Sequence, residues 1–122
     1  MNSAAIKSVL LLARGDLSRD DAALAVRVAL ALPLGGLSVS LLLVDSAAAL
    51  GLSNPPDLGP WSGGLGRELE ALVGDGEVPV LVEQESLVAL GLAEPPLRPG
   101  VETVPRSQVP AICAEADICL VV

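Results

Sequence analysis

The sequence predicts a three-layer α/β/α domain built on a mostly parallel, five-stranded, flavodoxin-like sheet. The segments of strand length are apolar throughout instead of alternating, which is typical of parallel sheets covered on both faces. They alternate with segments of helical pattern, as in doubly wound α/β folds. The chain of 122 residues has the length of one domain, so we expect residues 1–122 to form a single α/β domain.

The first half of the chain predicts two buried strands joined by a helix. The apolar run over residues 6–13 has the length of a strand, and residues 20–32 carry the small and apolar side chains of a packed helix. Pro33 and the glycines that follow it end this helix. Residues 37–45 form the second strand, and a short Ala-rich turn comes next.

The second half predicts three further strands separated by loops and short helices. Proline and glycine mark the loops, and Pro110 fits a helix only in its first turn. The predicted elements are a loop at 53–66, a short helix at 66–74, a third strand at 78–82, one or two helical turns at 85–92, a loop at 93–100, a fourth strand at 101–104, a helix at 107–116 and a final buried strand at 117–122.

Charge and composition disfavour several classes of function. Fifteen acidic and seven basic residues give a net charge of −8, which repels a phosphate backbone, so we expect no direct binding to nucleic acid. No apolar run reaches the roughly 20 residues of a membrane span, and the N-terminus lacks the pattern of a signal peptide. We therefore expect a cytoplasmic protein that does not enter the membrane.

The absence of histidine removes the most common general acid–base group and the most common transition-metal ligand. Two cysteines cannot form a zinc site alone. Ser86 has no histidine beside it, and the only lysine, Lys7, precedes the first strand, so nucleophilic catalysis by Ser86 is disfavoured. We expect no cofactor, no metal and no independent catalytic activity; an enzyme that uses the carboxylates ranks last among the alternatives.

Polar side chains follow three of the predicted strands. Ligands of open α/β sheets bind outside the carboxyl ends of the strands, and the side chains expected there are Asp16, Asp45, Glu83, Glu85 and Ser86. Glu83 and Glu85 lie two positions apart and would share a face if both belonged to the strand. The simpler alternative is that these carboxylates solvate the strand ends and stabilise the helices that follow.

The thiols and the single aromatic residue have their own interpretations. Cys113 falls in a predicted helix and Cys119 in the last strand, so we expect both to be buried, reduced and structural, without a sulfur-carrying role. Trp61 lies in a Pro/Gly-rich loop, where it either anchors a partner or folds back over the sheet edge. The apolar composition, with 52% hydrophobic residues, favours an oligomer because a small monomer would expose apolar surface.

Three motifs in their order along the chain resemble a known family. They are "LLLVD" at the end of the second strand, "SLVALGL" after the third, and the closing "AEADICLVV". The sequence is similar to the DsrE/DsrF/DsrH (TusBCD) sulfur-relay family, and most similar to its DsrF/TusC branch. The resemblance covers nearly the whole chain and implies a flavodoxin-like fold and assembly into homo-oligomers, or into hetero-oligomers with DsrE- and DsrH-like subunits.

The resemblance also implies a role for the end of the third strand. DsrE-type members carry a persulfide on a cysteine near this strand, and TusC-like chains often place a cysteine just ahead of Ser-Leu. Glu83 stands at that position here, and no cysteine lies nearby. We therefore expect a non-carrier structural or regulatory subunit of a sulfur-relay assembly. The alternative is a small-ligand binding module that uses the acidic strand-end loops.

Overall fold

The structure is a computed structural model that describes residues 7–14, 20–52, 71–72, 78–91 and 97–122. In this part of the chain five strands form one sheet, and every neighbouring pair is parallel. The strands are β1 (Ser8–Ala13), β2 (Ser38–Leu43), β3 (Val80–Glu83), β4 (Val101–Val104) and β5 (Ile118–Val121). Their order across the sheet is β4-β3-β2-β1-β5. The predicted five-stranded sheet and the flavodoxin-like α/β arrangement are confirmed.

The described connections contain three α-helices and three 3₁₀ helices with complete bounds. The α-helices are α1 (Asp20–Ala31), α2 (Gln84–Ala89) and α3 (Val109–Glu115), and the 3₁₀ helices are Leu32–Gly35, Asp45–Gly51 and Arg106–Gln108. Residues 71 and 72 are also helical, within the predicted helix at 66–74. The remainder of that helix and the predicted loop at 53–66 lie outside the described residues.

Proline and glycine act where the sequence predicts that they would. Pro33 lies at the start of the 3₁₀ helix that ends α1, and Gly36 then takes a left-handed conformation with φ 85°. The N–H of Gly36 donates to the carbonyl of Pro33 at 3.0 Å, which closes the end of the helix. Pro110 lies in the first turn of α3, where a missing N–H costs no intrahelical hydrogen bond.

The two faces of the sheet pack against different helices. Leu11 and Leu41 belong to a large buried cluster that also contains Val26 of α1 and Leu87 of α2. The residues that alternate with them in the strands, such as Leu10 and Leu42, belong to a smaller cluster packed against α3. The helices α1 and α2 therefore cover one face and α3 covers the other, as in a three-layer sandwich.

This arrangement places a crevice between β3 and β4. The chain steps from β1 to β4 in one direction across the sheet and then returns to place β5 beside β1. Right-handed crossovers put connections of opposite direction on opposite faces. The chain therefore leaves β3 towards α2 on one face and leaves the adjacent β4 towards α3 on the other. Two neighbouring strands whose outgoing connections lie on opposite faces form a topological switch point, and open α/β sheets bind their ligands there.

The 3₁₀ helix that follows β2 is held close to β3. A Cβ atom at Gly51 would lie 2.5 Å from Cγ2 of Val82, so the close approach requires glycine there. The backbone N–H of Arg98 donates to the carbonyl of Gly51 at 2.8 Å, and its Nε donates to the carbonyl of Leu50 at 3.0 Å. These contacts fix the path of the chain directly after Asp45.

The predicted burial of the final strand is wrong. Leu120 is 43% exposed and Val121 is 58% exposed, and Cys119 is exposed as well. The strand lies at the edge of the sheet and pairs with β1 alone among the described strands. The apolar run therefore correctly predicted a strand. Whether that strand is buried depends on its position in the sheet, which the run does not determine.

Candidate functional site

Glu83 is a buried carboxylate at the carboxyl end of β3. The residue is 5% exposed, and its Oε1 atom accepts three hydrogen bonds. The hydroxyl of Ser86 donates to it at 2.6 Å, and Arg106 donates from Nε at 3.2 Å and from Nη2 at 2.9 Å. A carboxylate is buried only when its charge is compensated, and here one arginine and one hydroxyl provide that compensation.

Ser86 joins the ends of two neighbouring strands. It lies in the first turn of α2 and is 2% exposed. Its hydroxyl donates to Glu83 and accepts the backbone N–H of Asp45 at 2.8 Å. Asp45 follows β2 and has a φ of 52°, which is uncommon for a residue other than glycine. The hydrogen bond to Ser86 holds the backbone of Asp45 in this conformation, while the residue itself is exposed.

Arg106 reaches the site from the neighbouring strand end. It begins the 3₁₀ helix after β4, and its backbone N–H donates to Oε1 of Glu85 at 2.9 Å. Its side chain is 60% exposed, whereas that of Glu83 is 7% exposed. Glu83 and Glu85 do not share a strand face, because β3 ends at Glu83 and Glu85 lies in α2, within the predicted helical turns. The two carboxylates instead hold the same arginine, one by its side chain and one by its backbone.

The local charges keep Glu83 ionised. Burial raises the pKa of Glu83, whereas hydrogen bonds from Arg106 and Ser86 and the positive charge of Arg106 lower it. The lowering effects together are larger, so the pKa lies below its usual value of 4.5. The pKa of Arg106 is raised, first by its hydrogen bond to Glu83 and then by the charge of Glu83, with smaller contributions from Glu85 and Asp45. The site is therefore a formed ion pair near neutral pH.

A shallow cavity opens beside this ion pair, at the carboxyl edge of the sheet. Its volume is about 340 Å³, and its lining residues are Leu12, Arg14, Val44, Asp45, Glu83, Arg106 and Val109. Arg14 and Asp45 form no ion pair with any residue in the described part of the chain. One cation and one anion are thus available to a ligand, whereas Glu83 and Arg106 already satisfy each other.

The structure brings four of the five predicted strand-end residues into one region. Asp45 and Glu83 line the cavity, Ser86 lies buried beneath it, and Glu85 supports Arg106 from α2. Asp16 lies outside the described residues, as does Trp61, the predicted partner contact. The interpretation of the carboxylates as a solvated strand end is wrong for Glu83, because that side chain is buried and ion-paired.

Sequence reasoning missed Arg106 and the role of Arg14. A carboxylate at the end of an apolar run needs a cation, and the chain has only seven basic residues. Arg106 lies two residues after the strand at 101–104. It becomes a candidate for the cation that pairs with Glu83 only when β4 is known to lie beside β3. Strand adjacency is the missing signal, and it depends on long-range packing.

The thiols lie away from this site. Cys119 is on β5, which is three strands from β3, and Cys113 is on α3. The prediction that both are buried is wrong: Cys119 is exposed and Cys113 is half-buried. Both are free thiols, and their structural role stays a prediction. Within the described ranges, no cluster of three or more His, Cys, Asp or Glu side chains could hold a metal ion, and no helix is long and apolar enough to cross a membrane.

Comparison with solved structures identifies a shared fold. The chain is similar to the crystal structure of the ychN protein from E. coli, with a TM-score of 0.77 and 23% sequence identity over 97% of this chain and 100% of that one. At this level of identity the likeness shows a shared fold, and the predicted DsrF/TusC branch stays a prediction. No family model matches the sequence, and no curated protein matches it.

Proposed function

We propose that this protein is a DsrE/F-like, non-carrier subunit of a sulfur-relay assembly, with a structural or regulatory role. The assembly would serve intracellular sulfur oxidation or tRNA thiolation in the cytoplasm. The observation that supports this proposal is the state of Glu83, which stands at the strand end where the resemblance places a cysteine. Its Oε1 atom is fully engaged by Ser86 and Arg106.

A carboxylate cannot hold a persulfide, because the carrier atom of such a relay is a thiolate sulfur. The ion pair between Glu83 and Arg106 has a structural effect at the same position. It ties β3 to the segment after β4, and Ser86 ties it to Asp45 after β2. Side-chain hydrogen bonds to two neighbouring segments thus hold the strand end rigid. This rigidity fits a subunit that supports a partner's chemistry.

The thiols elsewhere do not resemble a relay site. A carrier cysteine needs a low pKa and an accessible strand-end loop. Cys119 lies within β5, and burial together with contact to Cys113 raises its pKa. Cys113 lies in α3. Neither thiol is at the carboxyl edge that carries the cavity, so a second, unrelated relay site would be needed.

The test is sulfur transfer to the reduced protein. Incubation with a persulfide donor, followed by intact-mass and peptide analysis, should show no persulfide held on Cys113 or Cys119, whereas an internal disulfide without added sulfur is compatible with the proposal. A DsrE-like chain with its strand-end cysteine serves as the positive control. Glu83→Cys is the matched variant, and its gain of sulfur would show that the position is accessible to a donor. Sulfur on either natural cysteine of the unmodified chain would overturn the non-carrier proposal.

Assembly is tested separately by native mass. Mixing the chain with DsrE-like and DsrH-like subunits from the same source should give a stable complex of mixed composition, or the chain alone should give a homo-oligomer. A protein that stays monomeric alone and with both partners would contradict the subunit role, whatever the sulfur-transfer test shows.

A second candidate function is small-ligand binding in the cavity of about 340 Å³. The volume is in the range of small-molecule sites, and Arg14 and Asp45 carry charges that form no ion pair within the described ranges. A thermal-shift screen of small carboxylates, amino acids and nucleotides tests it. A ligand should raise the melting temperature of the unmodified chain but not that of Arg14→Ala. No shift with any compound would remove this candidate.

A further inference from the structure

The two cysteines of the chain lie on the same side of the sheet. Cys119 pairs in register with Leu10 of β1, so its side chain points to the face on which Leu10 lies. Leu10 belongs to the smaller buried cluster, against which Cys113 of α3 packs. Only five residues, Ala114 to Ile118, separate the cysteines, because the chain turns directly from α3 into β5. Helix and edge strand therefore present their thiols to each other.

The thiols lie on the same face of the sheet, and one of them is open to solvent. Burial raises the pKa of Cys119, and so does a hydrogen bond with the side chain of Cys113. Cys119 is nevertheless exposed, and Cys113 is half-buried. The raised pKa means that Cys119 reacts only through its minor thiolate fraction, which makes the exchange slow. The placement of an exposed thiol on the same face as a second thiol still allows the first to attack a disulfide and the second to resolve it.

We propose that Cys113 and Cys119 form a reversible disulfide that joins α3 to the edge strand β5, with low-molecular-weight disulfides as the oxidant. Glutathione disulfide is the representative of that class. The pair is a redox modification site that is separate from the Glu83 site. The inference does not rest on the proposed function, since an oxidised or a reduced pair is compatible with any role of the Glu83 site.

The chemistry proceeds by two thiol–disulfide exchanges. The Cys119 thiolate attacks one sulfur of glutathione disulfide, the S–S bond of the oxidant breaks, and one glutathione thiolate leaves. The Cys113 thiolate then attacks Cys119 sulfur and expels the second glutathione. The protein loses two electrons and two protons, and the oxidant gains them as two molecules of glutathione. Reduced glutathione reverses both steps.

The position of the pair gives the disulfide a structural consequence. Strand β5 is one of the two edges of the described sheet and pairs with β1 alone among the described strands. A bond between β5 and α3 would fasten this edge to the helix that covers the second face. Transient disulfides in reducing compartments usually serve redox sensing or catalysis, and an edge strand is a surface at which such a signal can change pairing with another chain.

The test equilibrates the folded, full-length protein with glutathione buffers of increasing oxidised fraction, followed by acid quenching. Cleavage after Arg106 leaves both cysteines in one peptide, because no Lys or Arg follows it. We expect that peptide to lose two hydrogen atoms in mass and both thiols to lose their reactivity towards a thiol reagent. The loss should reverse on addition of reduced glutathione.

Single-cysteine variants supply the control for the mechanism. Cys113→Ser should keep one glutathionyl group on Cys119, since the resolving thiol is gone, while Cys119→Ser should react more slowly. The same titration in concentrated urea measures what the fold contributes, and the folded protein should oxidise at a lower oxidised fraction than the unfolded chain. This comparison uses the unmodified sequence and holds even if a variant fails to fold.

Several results would overturn the inference. A glutathionyl group that persists on the unmodified protein would mean that Cys113 cannot reach Cys119. A disulfide-linked dimer would assign the exposed thiol to intermolecular pairing instead. Equal oxidation of the folded and unfolded chains would mean that the packing of α3 on β5 contributes nothing.

Discussion

Two carboxylates at opposite ends of the sheet show how differently one chemical group can serve a fold. Glu83 lies at the carboxyl end of β3 and is 5% exposed, whereas Asp117 lies at the amino end of β5 and is exposed. Both accept several hydrogen bonds, and both have a pKa below the usual value. The difference between them is burial, and burial determines what the loss of each carboxylate would cost.

The partners of the two groups differ in the same way. Asp117 accepts the backbone N–H groups of Lys7 and Ser8 at 2.7 and 3.0 Å, and its own N–H donates to the hydroxyl of Ser8 at 2.9 Å. Water can replace each of these contacts. Glu83 binds a charged side chain and a buried hydroxyl, and water cannot easily replace those. The comparison therefore predicts a rank order of stability effects.

Glu83→Ala should have the largest effect. It removes three hydrogen bonds to one carboxylate and leaves a cavity at the end of β3, and we expect a loss of about 3 kcal/mol in the free energy of unfolding. Arg106 is mostly exposed and can turn to water, which limits the loss. Urea unfolding followed by circular dichroism measures it. Glu102→Ala, on the exposed part of β4, is the matched control and should change stability by less than about 0.5 kcal/mol.

Ser86→Ala should have the next largest effect. The change removes one hydrogen bond to Glu83 and leaves the backbone N–H of Asp45 without its acceptor, which together cost about 2 kcal/mol. The same urea measurement applies, and Ser46→Ala is the control because Ser46 is exposed. Equal stability of the two alanine variants would show that the hydroxyl of Ser86 does not join the strand ends.

Asp117→Ala should have the smallest effect of the three. The side chain is exposed, so the N–H groups that it releases can bind water instead, and the loss should stay below that of Ser86→Ala. Hydrogen exchange at Lys7 and Ser8 should rise while exchange in the middle of β1 stays unchanged. A destabilisation as large as that of Glu83→Ala would contradict the argument that burial separates the two carboxylates.

The sequence predicted the sheet better than it predicted the site. Apolar runs located all five strands because a parallel strand is apolar along its length, and Pro110 and Gly36 marked helix ends by their backbone chemistry. Glu83 and Ser86 were found because they follow a strand. Arg106 was missed, and Leu120 was wrongly predicted to be buried, because both properties depend on which strands are neighbours. Strand order arises from long-range packing, which no local pattern encodes.

The pH dependence of Glu83 follows from its lowered pKa. Because the folded pKa lies below that of the unfolded chain, ionised Glu83 stabilises the fold at pH values above the unfolded pKa. This contribution falls as the pH drops below that value and is lost once the pH passes through the folded pKa. Glu83→Gln should remove this part of the acid dependence of stability.

The most direct measurement is an NMR titration of the side-chain carboxyl carbon of Glu83 in the unmodified protein and in Arg106→Gln. The unmodified protein should titrate below the usual value of 4.5, and the variant should titrate at a higher pH because burial then acts with less compensation. A Glu83 pKa at or above its usual value, unchanged by the loss of Arg106, would contradict a buried ion pair at the end of β3.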